Sequence, residues 1–168
     1  MSESLEDDKL RRLLDVGREL ASEPDSERVL ERVLEEARSI TGARFAAVGV
    51  LDVERIELER FLTSGMDADT RRAIGEPPRG RGVLGLLIVD PRPLRLADLG
   101  QHPHSYGFPE GHPPMGSFLG VPMLIGGEAW GNLYLTEKQG GGEFTDFDED
   151  AAVLLAQWAA TAIENART

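Results

Sequence analysis

Residues 117–138, SFLGVPMLIGGEAWGNLYLTEK, decide the fold. Two apolar runs, SFLGVPMLI and AWGNLYLTEK, flank Gly126-Gly127, and paired glycines supply the positive φ that a tight hairpin turn requires. Side chains alternate along a strand, so Trp130, Asn132, Tyr134 and Thr136 share one face of the second run, and Leu133 and Leu135 share the other. The leucines predict burial against a layer of helices, which points Tyr134 to the opposite face of the sheet.

The same period of two begins at Arg44. RFAAVGVLD and RIELERFL, separated by Val53 and Glu54, read as a second hairpin, with Phe45, Ala47 and Gly49 on one face and Val48 and Val50 on the other. If the valines meet the helices, small residues line the other face and leave volume for a ligand. PRPLRLADL reads as a short strand running into a turn. GVLGLLIVD fits a short helix or a buried strand equally well.

Helical periods bracket these strands. Leu10, Leu13, Leu14, Gly17 and Leu20 form one apolar stripe, and Val29, Leu30, Val33, Leu34, Ala37 and Ile40 form another. Asp25 is placed to cap the second helix, and Gly42 to end it. At the other end of the chain, Thr145 and Asp148 form a capping box for a helix expected to bury Val153, Leu154, Trp158, Ala159, Ala162 and Ile163. MDADTRRAIG reads as a short helix, and residues 100–116 as a long loop. The expected fold class is α+β: a central antiparallel sheet, terminal helices on one face and a loop-covered ligand pocket on the other. One domain spans 1–168, with N-terminal helices in 1–42, sheet and pocket loops in 43–143 and a C-terminal helix in 144–168.

Composition excludes several functions. The 168 residues carry 18 basic and 30 acidic side chains, a net charge of −12, which repels nucleic acid and anionic membranes. An acidic N-terminus and the lack of a run of about 18 apolar residues predict a cytoplasmic protein with no membrane partner. With no cysteine, thiolate metal sites and cysteine nucleophiles are excluded. Gly80, Gly82 and Gly85 match a dinucleotide-binding spacing, but they follow Pro77 and Pro78 rather than a strand, so they read as a turn. Ser105, His104 and Asp98 lack the context of a catalytic triad.

The three histidines, His102, His104 and His112, all fall in the long loop. His112 stands in GHPPMG, where Pro113 drives it toward an extended backbone and Pro114 keeps the next stretch of chain stiff. An imidazole aimed in this way suits axial coordination of a metal. Zinc is disfavoured, because no second histidine stands at ligand spacing.

GVLGLLIVDPRPLRLADL, the block from His102 to Pro122 with its HPPM, and GNLYLTEK together resemble the haem-binding GAF domain of the dormancy-survival (DosS/DosT/DevS type) sensor histidine kinases. The resemblance runs from about Leu13 to Arg167, and HPPM is its most discriminating piece. It implies haem b as cofactor, His112 as proximal iron ligand and Tyr134 as the distal hydrogen-bond donor to a diatomic gas, O2, NO or CO. It also implies that Met115, Phe61, Leu84, Phe108 and Gly49 surround the cofactor. Where some members carry a glutamate near the distal pocket, this sequence has Gly49. A wider gas route and a missing carboxylate favour gas binding over redox sensing.

Implied partners are a histidine kinase core or response-regulator pathway and a second copy of the chain, with signalling through the terminal helices. No kinase core is present in these residues, so the expectation is a sensor rather than an enzyme. GAF-fold methionine sulfoxide reductases need cysteines that this chain lacks. The alternative is a haem-free GAF module that binds another small molecule or serves to dimerise.

Overall fold

The structure, a computed structural model, describes residues 2–52, 54, 58–65, 92–96, 117–140 and 142–167. Helices α1 (Ser2–Ala21) and α2 (Ser26–Thr41) lead into strands β1 (Ala43–Leu51) and β2 (Leu58–Ser64). Strands β3 (Leu94–Leu96), β4 (Phe118–Ile125) and β5 (Glu128–Lys138) come next in the chain, and helix α3 (Asp146–Arg167) ends it. The five strands form one antiparallel sheet in the order β2-β1-β5-β4-β3, so the expected α+β class holds. The 117–138 hairpin supplies the two strands at its centre and next to it. Gly126 and Gly127 turn it with φ of 61° and 84°.

Capping agrees closely with the sequence. Asp25 Oδ1 accepts from the Glu27 N–H at 2.9 Å at the start of α2, and Gly42 ends that helix in the left-handed region at φ 78°. The capping box of α3 is reciprocal: the Asp148 N–H donates to Thr145 Oγ1 at 3.1 Å, and the Thr145 N–H donates to Asp148 Oδ2 at 2.9 Å.

Strand parity then sorts the core. Ala46, Val48 and Val50 of β1, Leu119, Val121 and Met123 of β4, and Leu133 and Leu135 of β5 join the buried face of α2. From α3 the same core takes Ala151, Ala152, Leu155, Ala156, Ala159, Ala160 and Ile163. This corrects the expected phase of α3, because Val153 is 43% and Leu154 39% exposed. Alanines line the inner face since α3 lies close to the sheet and α2, where larger side chains would not fit.

Helix α1 is also rotated from expectation. It buries Leu13, Val16 and Leu20, whereas Leu10 and Leu14 are 50% and 63% exposed. Two contacts set that rotation. Gly17 lies over the Trp158 ring of α3, where a Cβ would come within 2.7 Å of a ring carbon. Arg12 makes a bidentate pair with Glu36 of α2, Nε to Oε2 at 2.7 Å and Nη2 to Oε1 at 3.1 Å. Arg32 adds a second guanidinium to the buried Glu36 carboxylate at 3.1 Å, and the bond to Glu36 raises the Arg12 pKa further. Turning α1 to bury Leu10 and Leu14 would pull Arg12 from a carboxylate that has little water to replace it.

At Gly131 of β5, the neighbouring strand β1 lies close. A side chain there would run into the Gly49 carbonyl oxygen and the Met123 methyl. Gly131→Ala should therefore lower unfolding stability by about 1–3 kcal/mol. Urea unfolding monitored by far-UV circular dichroism checks this, and an unchanged midpoint would show that the two strands have room to separate.

Candidate functional site

The face of the sheet turned away from the helices has its own small core. Phe118 and Tyr134, 1% and 8% exposed, pack with ring centroids 6.2 Å apart and ring planes tilted by 33°, and Ala47, Phe61, Leu94 and Leu96 pack around them. Register explains the assembly. One row crosses all five strands as Thr63, Ala47, Tyr134, Gly120 and Leu94. The row beside it runs Phe61, Gly49, Asn132 and Pro122, and a third places Phe45, Thr136, Phe118 and Leu96 together. Tyr134 thus occupies the centre of the sheet, with only Ala47 and Gly120 as its lateral neighbours on that face. On its own row the phenol therefore has only small lateral neighbours, while the larger apolar side chains pack from the adjoining rows.

Burial pushes the Tyr134 phenol's pKa up, and the neighbouring Asn132 side chain offsets part of that rise. At neutral pH the group is a protonated phenol, able to donate its hydrogen. Asn132, 1% exposed, is the site residue that sequence reasoning placed on this face without giving it a role. An asparagine amid a central strand, where that residue type is depleted, was the available signal.

Gly49, Phe61 and Tyr134 of the expected site are therefore brought together on one face. His112, Met115, Leu84 and Phe108 lie outside the described residues, as do His102, His104, the glycines at 80, 82 and 85, and the segments read as MDADTRRAIG and GVLGLLIVD. In the chain, residues 97–116 connect β3 to β4, and Leu96 and Phe118, on either side of them, are paired in register on the Tyr134 face. Among the described residues, no group of three or more histidine, cysteine, aspartate or glutamate side chains is placed to hold a metal ion.

The site is wired to the C-terminal helix by charge. Tyr134 is four residues before Lys138, whose ammonium pairs with the buried Asp148 of the α3 capping box and lies 5.6 Å from the Phe144 ring centroid. From β3, Arg95 donates to the Phe144 carbonyl at 3.2 Å and to Asp146 Oδ1 at 2.8 Å, and pairs with Glu149 at 3.3 Å. β3, which precedes the histidine segment in the chain, and β5, which carries the phenol, thus both contact the first turn of α3, where anionic side chains are favoured by the helix dipole.

Helices on one face, and a partly apolar, tyrosine-centred surface on the other, define an α+β small-molecule-binding or sensory module. The chain belongs to the GAF domain family, whose model matches residues 23–164. It is similar to the GAF domain of a phosphoenolpyruvate-protein phosphotransferase from Coxiella burnetii, at 26% identity and a TM-score of 0.82, over 95% of this chain and 94% of that one. It also resembles free methionine-R-sulfoxide reductase from Neisseria meningitidis, solved with its substrate, at 21% identity and a TM-score of 0.72, over 92% and 87% of the two chains. A third likeness is to the GAF domain of a protein described as a sensor histidine kinase from Pseudomonas syringae pv. tomato, at 18% identity and a TM-score of 0.68, over 99% and 91%. Among the described residues, no helix is long and apolar enough to cross a membrane.

The raised phenol pKa gives stability a pH dependence. An unfolded tyrosine ionises near pH 10, whereas the folded chain holds the Tyr134 proton above that value. The Tyr134 contribution is then complete below about pH 10 and is lost as pH rises from there toward the folded pKa. Urea unfolding at pH 8 and pH 10.5 should show a decline in wild type that is smaller in Tyr134→Phe. An equal decline in both would place the phenol in water.

Proposed function

We propose that this GAF domain is a b-type haem sensor for a diatomic gas, with His112 as the proximal ligand and Tyr134 on the gas side. The observation that carries the reading is Tyr134 itself, a buried, protonated donor at the centre of an apolar sheet face. The HPPM motif, stiffened by Pro113 and Pro114 and just before β4 in the chain, supports it from the sequence. The residues present fit the group: Phe61, Phe118, Leu94 and Leu96 offer an apolar wall to a flat macrocycle, and Ala47, Gly49 and Gly120 keep the floor low. Haem, when bound, would supply an iron with one open position for O2, NO or CO.

The remaining work falls to the chain. His112 would hold the iron through a neutral imidazole, its backbone fixed by Pro113 and Pro114 so that little entropy is lost on binding. Tyr134 would donate its hydroxyl hydrogen to a polar bound gas, and the surrounding apolar side chains would exclude competing water. A shift of the 97–116 segment would reach α3 through Arg95, and a shift of β5 through Lys138, since both contact the first helical turn. Output to a histidine kinase core or response-regulator pathway would leave by the terminal helices, whose exposed Leu10, Leu14, Val153 and Leu154 offer apolar surface to a second copy. Ligand state alters output only through such differential contacts.

Reconstitution with hemin tests the reading. Wild type should take up stoichiometric hemin and give a sharp Soret band, and His112→Ala should lose that band or change its ligand spectrum. Tyr134→Phe should keep hemin and release O2 roughly tenfold faster, the value of one lost hydrogen bond of about 1.4 kcal/mol. A wild-type protein that stays colourless with hemin would favour the haem-free GAF module, and an unchanged His112→Ala spectrum would remove the proximal assignment.

A further inference from the structure

Helices α1 and α3 run parallel: Lys9 of α1 lies over the Phe147 ring and, further along both helices, Gly17 lies against the Trp158 ring. They do not meet evenly. At Gly17 an added Cβ would collide with the indole, so the helices touch closely there. Toward the start of α3 they part, and an open groove of about 470 Å³ lies between them. Asp7, Leu10 and Leu13 of α1 form one wall, and Phe147, Asp150 and Leu154 of α3 form the other. A volume of that size falls in the range of binding pockets.

The groove has a helical layout. Phe147 and Leu154 recur along one side of α3, and Leu10 and Leu13 along one side of α1. Two turns of α3 extend about 10 Å. A trough of that length between two helices suits a third helix, whose apolar anchors recur at the same spacing. Leu10 and Leu154, at 50% and 39% exposed, are apolar side chains that such a helix would cover.

Charge selects among occupants. Asp7 and Asp150 are exposed and make no ion pair among the described residues, and none of the lining residues is basic. Other carboxylates at the start of α3 are already engaged, Asp148 with Lys138, and Asp146 and Glu149 with Arg95. Lys9 stands beside the groove with its ammonium 6.0 Å from the Phe147 ring centroid. A second copy, itself carrying a net charge of −12, would bring two more aspartates to the same place, and juxtaposed like charges oppose association. A helix with one apolar face and flanking basic side chains satisfies the walls and both carboxylates together.

We propose that the groove between α1 and α3 docks a basic amphipathic helix of a partner protein, its apolar side chains against Leu10, Phe147 and Leu154 and its lysine or arginine side chains beside Asp7 and Asp150. This docking does not depend on what the Tyr134 face binds. Leu14 and Val153 lie outside the groove and remain available to a second copy. A helix seated here rests on the first turns of α3, which Lys138 and Arg95 tie to the sheet, so a movement of β3 or β5 reaches the partner directly.

A fluorescein-labelled leucine-lysine amphipathic peptide of about 15 residues, long enough to form a helix, probes the groove by fluorescence anisotropy, with a leucine-glutamate peptide of the same length beside it. The lysine peptide should bind hemin-free wild type and slow hydrogen exchange in residues 7–14 and 147–154, and the glutamate peptide should not bind. Leu10→Ser/Leu154→Ser, at two exposed positions, should weaken binding about tenfold or more. Asp7→Asn/Asp150→Asn should weaken it about tenfold, whereas Asp15→Asn/Glu31→Gln, which removes equal charge outside the groove, should change it by less than about twofold. Equal losses in the two charge variants, or slowed exchange elsewhere, would reduce the binding to general attraction by an acidic chain and overturn the proposal. A lysine peptide that fails to bind would overturn it as well. So would a wild type that sediments as a dimer and becomes monomeric in Leu10→Ser/Leu154→Ser, since a second copy would then fill the groove. None of these outcomes bears on haem, because every measurement is made without it.

Discussion

The alternation of side chains along β5 is the constraint on which the rest of the molecule depends. One strand at the centre of the sheet contributes Leu133 and Leu135 to the helix-side core, and Asn132, Tyr134 and Thr136 to the other face. A register slip of one residue would exchange the two sets, placing the phenol among the helices and the leucines beneath the pocket. Burial of the leucines therefore fixes the orientation of the tyrosine. Gly131 allows β1 to sit tightly alongside, so Gly49 and Ala47 form the floor next to the phenol.

The same strand links the pocket to the helical layer. Lys138, at its end, holds the capping carboxylate of α3, and Arg95 of the short edge strand β3 holds the acidic residues beside it. Exposed ion pairs contribute little to stability, but the Lys138 pair engages an aspartate only 2% exposed. Its geometry couples strand position to the start of α3 more firmly than a surface pair would. Helix α1 is attached by different means, through the Glu36 carboxylate with its two guanidiniums and through Gly17 over Trp158.

Much of this was legible in the sequence. Period-two runs gave both hairpins and the facing of Tyr134, and short-range capping chemistry gave the ends of α2 and α3. Helix phase was less legible. Leu10, Leu14, Val153 and Leu154 are apolar and periodic, yet they lie outward, because alanines on α3 and Val16 on α1 fit a narrower space. Hydrophobicity alone ranks a leucine above an alanine, whereas close approach of helix and sheet reverses that order. Asn132 escaped for another reason: an unpaired acceptor is a property of its surroundings and leaves no mark in the sequence beyond an unusual strand residue. The proximal half of the candidate site, His112 with Met115, Leu84 and Phe108, rests on motif and resemblance.

The central claim is that His112 and Tyr134 stand on opposite sides of one haem against the second face of this sheet. A crystal structure of the hemin-loaded protein tests it most directly. The account predicts the His112 imidazole on the iron, the Tyr134 hydroxyl across the open coordination position, and the macrocycle edge against Phe61 and Phe118. Haem held by another residue, or lying away from the Tyr134 face, would contradict it.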